Sequence, residues 1–339
     1  MGNWILVESE VASLVRQGFL NLFSSGLISV PRNVWLPLSW PNCLTLEEVN
    51  LMDREVSSEE IKEALWILKP FKAPRPDELL VGFFQNAWAI IGDSVVNEVK
   101  NIFQTRTMPL KLNQTLIMLI PKCDGPESLS NFRPISLGNT LYKVLTKVIV
   151  NRIRPMSKLV SPLQSTFVPS RRGLDNVIIA QEIIHTLTLK KGNTGFMAVK
   201  IDLKKAYDML EQNFIRDVLL LYNLPSSMVD LIMRCESSFS TSLLFNGGML
   251  EPFLPSRSIR QGDLMSPYIF IFCMEVLGYF VDDKCRFKLW DPVKASRGGP
   301  VMSHLFFADD LILLAKTTFP SLHFHVIPIL VPIFYFHRF

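Results

Sequence analysis

The sequence is short of charge, of clean apolar runs and of patterned cysteine. Charged residues make up 19% of its 339 positions, below the ~25% typical of soluble domains, whereas hydrophobic residues reach 48%. A wholly disordered chain is thereby excluded, because there is ample apolar surface to bury. Its 16 glycines and 22 prolines are too few for a collagenous or low-complexity protein. No run supplies the ~20 uninterrupted apolar residues of a membrane span. Leu264 to Val281 contains Pro267 and Glu275, and the short stretch from Val326 to Phe336 carries Pro328 and Pro332. No basic flank precedes an apolar stretch at the start, so no secretory signal is expected. Leu6 stands where a myristoylation signal wants Ser or Thr. The five cysteines, Cys43, Cys123, Cys235, Cys273 and Cys285, form no C-x-x-C pair and read as reduced intracellular thiols. No internal repeat is visible.

Acid is also missing from one long segment. Between Ser128 and Leu174 there is no Asp or Glu, yet there are eight basic residues: Arg133, Lys143, Lys147, Arg152, Arg154, Lys158, Arg171 and Arg172. The net charge of +4 conceals this, since residues 1–69 carry −4, residues 70–200 carry +9 and residues 201–339 carry −1. An ordinary solvated face usually mixes signs, so the basic middle points to a polyanion bound with salt-sensitive affinity. Leu141 to Arg154 has helical order, with Leu141, Leu145, Val148 and Ile149 on one side and Lys143, Lys147, Asn151 and Arg154 in one narrow sector. Pro155 ends it.

Helices and strands alternate irregularly. Residues 1–69 read as mostly helical, with Ser57-Ser58-Glu59-Glu60 opening a helix to about Leu68. Lys72 to Asp77 is a proline-bound loop, and a helix is expected across Leu80 to Thr105. Leu116 to Pro121 reads as a buried strand, and Asn131 to Leu137 follows a turn at Asp124-Gly125-Pro126. Gly195 to Ile201 is a strand with Asp202 at its C-terminal end, and a helix is expected through Lys205 to Tyr222. Ser266-Pro267 opens a further helix, with Ser266 as N-cap and Gly278 suited to its end. His304 to Ala308 and Leu311 to Ala315 are apolar runs flanking Asp309-Asp310, a hairpin with an acidic tip. The order suggests an α+β fold with a mostly antiparallel sheet.

Two adjacent carboxylates between apolar strands repel and raise each other's pKa. A divalent cation removes that cost. Mg²⁺ takes hard oxygen ligands, uses one or two carboxylates and leaves room for water and phosphate. Asp202, at the end of another strand, would complete a site for two metals in an in-line phosphoryl transfer. Taken alone, an Asp pair at a turn is also what a solvated turn contains.

The surrounding strings narrow the choice. Lys200-Ile-Asp-Leu-Lys-Lys-Ala-Tyr-Asp208, Arg260-Gln-Gly-Asp-Leu-Met-Ser-Pro267 and Phe307-Ala-Asp-Asp310 occur in this order. Together with Leu119-Ile-Pro-Lys122, Asn131-Phe-Arg-Pro-Ile-Ser-Leu137 and Phe167-Val-Pro-Ser-Arg-Arg-Gly-Leu-Asp-Asn176, the set resembles the reverse transcriptase domain of plant LINE-type non-LTR retrotransposons. The resemblance covers about residues 50–316. It implies the fingers and palm of a right-hand polymerase over residues 71–316, preceded by a helical extension over residues 1–70.

The same resemblance implies roles. Asp202, Asp309 and Asp310 correspond to the metal-binding triad, with the Leu203 backbone near a metal; the cofactor implied is two Mg²⁺ ions, with Mn²⁺ as a substitute. Tyr207 resembles the aromatic gate that rejects a 2′-hydroxyl, and its alternative is a core aromatic. Lys122 and Arg133 resemble finger residues that grip the triphosphate, for which Arg's planar fork is suited. Gln261 and Gly262 resemble the contact to nucleotide and template, glycine permitting close backbone approach. Lys143, Lys147, Arg154, Arg171 and Arg172 are candidates for nucleic-acid binding. Asp208 is expected to be structural and to point away from Asp202. The partners implied are an RNA template, a DNA primer and dNTP, with no membrane, and the implied location is the nucleus.

The pattern departs from the family in places. Arg75 and Glu78 occupy both glycine positions of a Lys-Ala-Pro-Gly-Pro-Asp-Gly string; at a positive φ each would be strained by about 1 kcal/mol or more. Ser170 takes another common glycine place. Leu264 replaces a proline. Thr317 to Phe339 has no match where a helical thumb is expected, reads as an artefact of the gene model, and is expected to lie outside the fold. Two other readings of the chain are a catalytically silent remnant that binds nucleic acid and a maturase-like RNA-binding factor; Phe307, in place of Tyr, favours the retrotransposon origin.

Overall fold

The computed structural model describes residue 5 and residues 7–26, 36–37, 40, 42–72, 76–190, 195–203, 205–294 and 298–317. Arg75, the histidines His323, His325 and His337, and all of the C-terminal segment beyond Thr317 lie outside the described residues.

Three helices lead the chain: α1 (Glu8–Phe23), α2 (Leu46–Asp53) and α3 (Ser58–Ile67). Thr45 and Glu48 form a reciprocal capping box at α2, and the Ser57 hydroxyl accepts from the Glu60 N–H at 3.1 Å to start α3 where the sequence predicts it. The helix expected over Leu80 to Thr105 is two, α4 (Val81–Asn86) and α5 (Trp88–Thr105). They meet at Ala87, whose N–H donates to the Phe83 carbonyl and whose carbonyl accepts from the Ile90 and Ile91 N–H groups.

Next come β1 (Gln114–Pro121), β2 (Phe132–Gly138), α6 (Thr140–Ile153), α7 (Gly173–Leu189) and β3 (Phe196–Asp202). The helix predicted from Lys205 is replaced by a short 3-10 turn, Ala206–Met209, and α8 begins only at Gln212, ending at Leu221. The reason is pairing: Ser258 and Ile259 donate N–H bonds to the carbonyls of Leu210 and Tyr207 at 2.8 and 2.9 Å. That capture holds the segment partly extended, so the α-helix starts late.

The chain continues through α9 (Ser226–Ser237), β4 (Ser240–Phe245), β5 (Gly248–Met249) and α10 (Ser266–Arg286). The N-cap of α10 is Met265, not Ser266, and Gly278 lies inside the helix rather than at its end. A Cβ on Gly278 would stand 3.1 Å from both His304 Nε2 and Phe306 Cε2, so glycine there serves close packing. The last elements are β6 (Val293–Lys294), β7 (Val301–Met302), β8 (His304–Phe307) and β9 (Asp310–Lys316).

The fold is mixed α and β, with sheets rich in antiparallel pairs. One sheet has the order β2-β1-β4-β5, in which β1 and β4 run parallel; the second, β3-β9-β8, is wholly antiparallel; β6 and β7 form a short ribbon. The main core joins α3, α5, α6, α8, α9 and α10. Val15, Phe19 and Phe23 of α1 pack on Ile117 and Leu243 of the four-stranded sheet and on Phe253, which bridges to Thr241 beside it. Ala180 and Ile183 of α7 cover Leu305 and Leu314 of the three-stranded sheet. Phe306, Leu311, Leu313 and Ala315 of the same sheet join the main helical core instead, so the strands that carry the acidic residues are held on both sides.

Candidate active site

The register of β3, β9 and β8 brings the acidic residues together. Asp202 is the direct partner of Asp310 across β3 and β9, and Asp310 pairs with Phe307 across β9 and β8. The hairpin tip is therefore Ala308-Asp309, one residue earlier than the sequence suggests, and Asp310 is the first residue of the central strand. Ala308 turns the corner at φ 52, a left-handed conformation costly to a residue with a Cβ. Leu203, buried, donates its N–H to the Asp309 carbonyl at 3.3 Å and accepts from the Ala206 N–H at 3.1 Å.

Electrostatics at this corner are unfavourable without a cation. Partial burial, then repulsion from Asp310 and Asp202, raises the Asp309 carboxyl above its ordinary range, with Arg133 and a backbone hydrogen bond opposing. Lys200 Nζ lies 3.1 Å from Asp310 Oδ1 and offsets part of the charge. Among the described residues no three acidic, histidine or cysteine side chains converge as a ready-made cage. The donor set nevertheless suits Mg²⁺, which is held by one or two carboxylates together with substrate phosphate.

Beside the hairpin is a cavity of about 520 Å³ lined by Lys122, Arg133, Tyr207, Gln261, Gly262 and Asp309. Every residue expected to meet the nucleotide thus borders one space; Asp202 and Asp310 stand outside its wall. Lys122 holds the Ser130 carbonyl at 3.1 Å. The Tyr207 ring stacks on Phe270 at 4.4 Å and 11°, and burial, then Asp309, pushes its hydroxyl above its ordinary range. Gly262 has φ 95, and a Cβ there would meet Ile135 Cγ2 at 3.4 Å. The Gln261 carbonyl accepts from the Ser136 N–H at 2.7 Å, which fastens this loop to β2.

Arg260, first in the same string, is a buttress. Its guanidinium sits 4.2 Å from the ring centroids of both Tyr142 and Phe239 and donates to Asn113 and to the Cys235 carbonyl. Asp263 accepts from the Met265 N–H at 3.2 Å and so anchors the start of α10.

Two features of the cavity were not evident in the sequence. Phe19 and Leu22 of α1 form part of its wall, a long-range contact that no local pattern signals. Asp208 also lines it, buried at 2% exposure, and accepts from Gln261 Nε2 at 3.0 Å. The expectation that Asp208 points away assumed a continuous helix from Asp202; the 3-10 turn removes that premise. Phe167 and Lys205, at φ 58 and 56, border the same space as Gly262 and Ala308. Strained backbone concentrated around one cavity is characteristic of functional sites.

The basic middle divides into two groups. Lys143, Lys147 and Asn151 form the partly exposed stripe of α6, and Arg154 and Arg172 are exposed. Burial and the neighbouring Arg154 lower the Lys147 ammonium below its ordinary range, which marks two close, mutually repelling positive charges. Arg152 instead turns inward to Glu60 at 2.8 Å and to the carbonyls of Met52 and Arg54. Arg171 donates to the carbonyls of Ser161, Gln164 and Val160, so its guanidinium is committed to shaping its own loop. Lys158 pairs with Glu48 at 2.7 Å.

Comparison with known proteins bears on this geometry. Residues 120–329 match the family described as reverse transcriptase (RNA-dependent DNA polymerase). Over 225 residues the chain is 25% identical to the "Transposon TX1 uncharacterized 149 kDa protein" of Xenopus laevis, covering 66% of this chain and 17% of that protein. Over 213 residues it is 29% identical to the "Retrovirus-related Pol polyprotein from type-2 retrotransposable element R2DM" of Drosophila melanogaster, covering 62% of this chain and 19% of that one. A 72-residue stretch is 38% identical to an uncharacterized mitochondrial protein of Arabidopsis thaliana, covering 21% of this chain and 59% of that one. The chain spans about a fifth of the length of the first two relatives.

Proposed function

This chain belongs to the reverse transcriptase family, and from that premise we propose that it is the RNA-directed DNA polymerase domain of a plant LINE-type non-LTR retroelement. The reaction is transfer of a nucleotidyl group from dNTP to the 3′ end of a DNA primer on an RNA template. The reading is carried by one observation: Asp202 and Asp310 are cross-strand partners, and the adjacent Asp309 opens onto the cavity that Lys122, Arg133, Tyr207, Gln261 and Gly262 line.

In this reading Asp202, Asp309 and Asp310, with the Leu203 carbonyl, hold two Mg²⁺ ions, for which Mn²⁺ can substitute. When bound, the ions supply charge stabilisation for attacking and leaving oxygens. The protein's own residues position. Lys122 and Arg133 bind the triphosphate, Arg133 through its planar fork. Tyr207, held flat on Phe270, limits the space at the sugar. Gly262 permits close backbone approach. Lys143, Lys147, Arg154 and Arg172 attract the template phosphates. Residues 1–70 act as an extension to fingers and palm over 71–316, and the site of action is the nucleus.

RNA-templated primer extension in Mg²⁺ tests this. The reading expects labelled dNTP to enter the primer strand. Salt-sensitive RNA binding with no extension would instead support a catalytically silent, RNA-binding chain.

A further inference from the structure

We propose that Asp208 is a positioning residue for the nucleotide: its carboxylate sets the Gln261 side-chain amide so that the amide oxygen faces bound dNTP and accepts from a donor on it. This rests on the function proposed above and adds a residue to the same site.

The argument is one of hydrogen-bond polarity. An ionised carboxylate only accepts, whereas a glutamine amide has one donating and one accepting end. Gln261 Nε2 donates to Asp208 Oδ1 at 3.0 Å, so the amide must direct its NH₂ inward and its oxygen the other way. Gln261 lines the cavity, and its Oε1 makes no hydrogen bond among the described residues. The backbone gives the side chain a fixed origin, because the Gln261 carbonyl is tied to the Ser136 N–H at 2.7 Å and Gly262 follows at φ 95. A nucleotide sugar carries the hydroxyl donor that such an acceptor fits. A buried carboxylate beside a triphosphate would otherwise be a liability, so its retention in the wall calls for a task.

Asp208 is faced by Lys205 on its own turn, by Lys122 at the end of the first sheet and by Arg257 on the loop that pairs with it. Burial pushes its carboxyl up to about 6, with Lys205, the Gln261 bond, Lys122 and Arg257 opposing. Protonation would free the amide to turn over, since a neutral carboxyl can donate as well as accept.

The test measures kcat and the dNTP KM in primer extension for the wild-type chain, Asp208→Ala, Gln261→Ala and the double variant, with Asp208→Asn followed from pH 5 to 8. Equilibrium dialysis of dNTP with Mg²⁺ accompanies each. The expected result is a KM raised about tenfold in each single variant, the size of one hydrogen bond near a charge, and no further rise in the double variant. Wild-type KM should climb below pH 6, and Asp208→Asn should lose that climb. Independent, multiplying effects of the two alanine substitutions would overturn the inference. So would an Asp208→Asn chain that keeps the wild-type pH profile, a measurement available even if Asp208→Ala fails to fold. A loss in kcat and melting temperature with KM unchanged would mark a merely structural residue. A wild-type chain that neither binds dNTP nor extends would overturn the proposed function and this inference together; extension with multiplying effects overturns this inference alone.

Discussion

Asp202 and Asp310 stand directly opposite each other on neighbouring antiparallel strands, a placement in which like charges oppose folding by roughly 0.2–1 kcal/mol. Lys200, two residues before Asp202, reaches Asp310 at 3.1 Å and relieves part of it. Asp202→Asn should therefore raise the melting temperature slightly in chelator. Mg²⁺ should then stabilise the wild-type chain and leave Asp202→Asn nearly unmoved, because ligand bound to the native state raises stability by mass action. Thermal melts with and without Mg²⁺ check this; an equal Mg²⁺ shift in both proteins would remove Asp202 from the site.

Gly262 should tolerate no side chain. Its φ of 95 is a conformation that residues with a Cβ rarely adopt, so the cost lies in the backbone, while a Cβ would meet Ile135 and the Ser136 carbonyl only at van der Waals distance. Gly262→Ala should cost about 1–2 kcal/mol in denaturant unfolding and raise the dNTP KM. A stability within 0.3 kcal/mol of wild type, on the order of ordinary surface substitutions, would contradict that reading of the loop.

Glu78 and Ser170, at φ 56 and 68, hold left-handed conformations where the resembling family has glycine. Glu78→Gly and Ser170→Gly should each stabilise the chain by up to about 1 kcal/mol, the relief of αL strain less the added unfolded-state entropy. Urea unfolding of both variants measures it, and destabilisation by either would show that its side chain contributes more than the strain costs.

The strain at Glu78 was legible in the sequence, since a departure from glycine is local; at Ser170 only the departure itself was. So were the hairpin, the strand ending at Asp202 and the α6 stripe, each carried by a contiguous string, whereas Lys122, Arg133, Tyr207 and Gln261 lie in four separate strings and were grouped only through the family resemblance. What the sequence did not reveal depends on distant chain. The break before α8 arises from pairing with residues 257–259, and Asp208 enters the cavity only because of that break. Gly278 looked like a helix end because helices commonly stop at glycine, but its neighbour across the fold is His304. Arg171 looked like a phosphate ligand, whereas the carbonyls of Val160, Ser161 and Gln164 in its own loop take it up; Arg152, one of the basic residues of the same acid-free segment, is taken up by Glu60.

The exposed and the committed arginines should separate in binding experiments. Arg154→Ala and Arg172→Ala should weaken RNA binding and lower the salt slope by about 0.7 each, one single-strand phosphate contact apiece. Arg171→Ala should chiefly lower stability, because three carbonyls lose their donor. Filter binding at several salt concentrations distinguishes them; unchanged slopes for Arg154 and Arg172 would move the template path elsewhere.

Burial pushes the Glu275 carboxyl up to about 7, above the unfolded value of 4.5. Between these values the folded chain holds a proton that the unfolded chain releases, so this group's contribution to stability falls as pH rises through the window. Its Oε2 accepts from the Ser161 N–H at 2.8 Å, which a glutamine oxygen can also do. Glu275→Gln should be more stable than wild type at pH 8, on the order of 1–2 kcal/mol, with the gap closing toward pH 5. A gap that widens on acidification would reverse the assigned sign.

Primer extension on an RNA template with Mg²⁺, comparing the native chain with Asp309→Asn, is the most direct test of the acidic corner as a polymerase centre. The native chain should extend the primer, and Asp309→Asn should fall by about 10²-fold or more, the scale on which loss of preorganised charge stabilisation registers. Equal background incorporation by the two proteins would contradict the account.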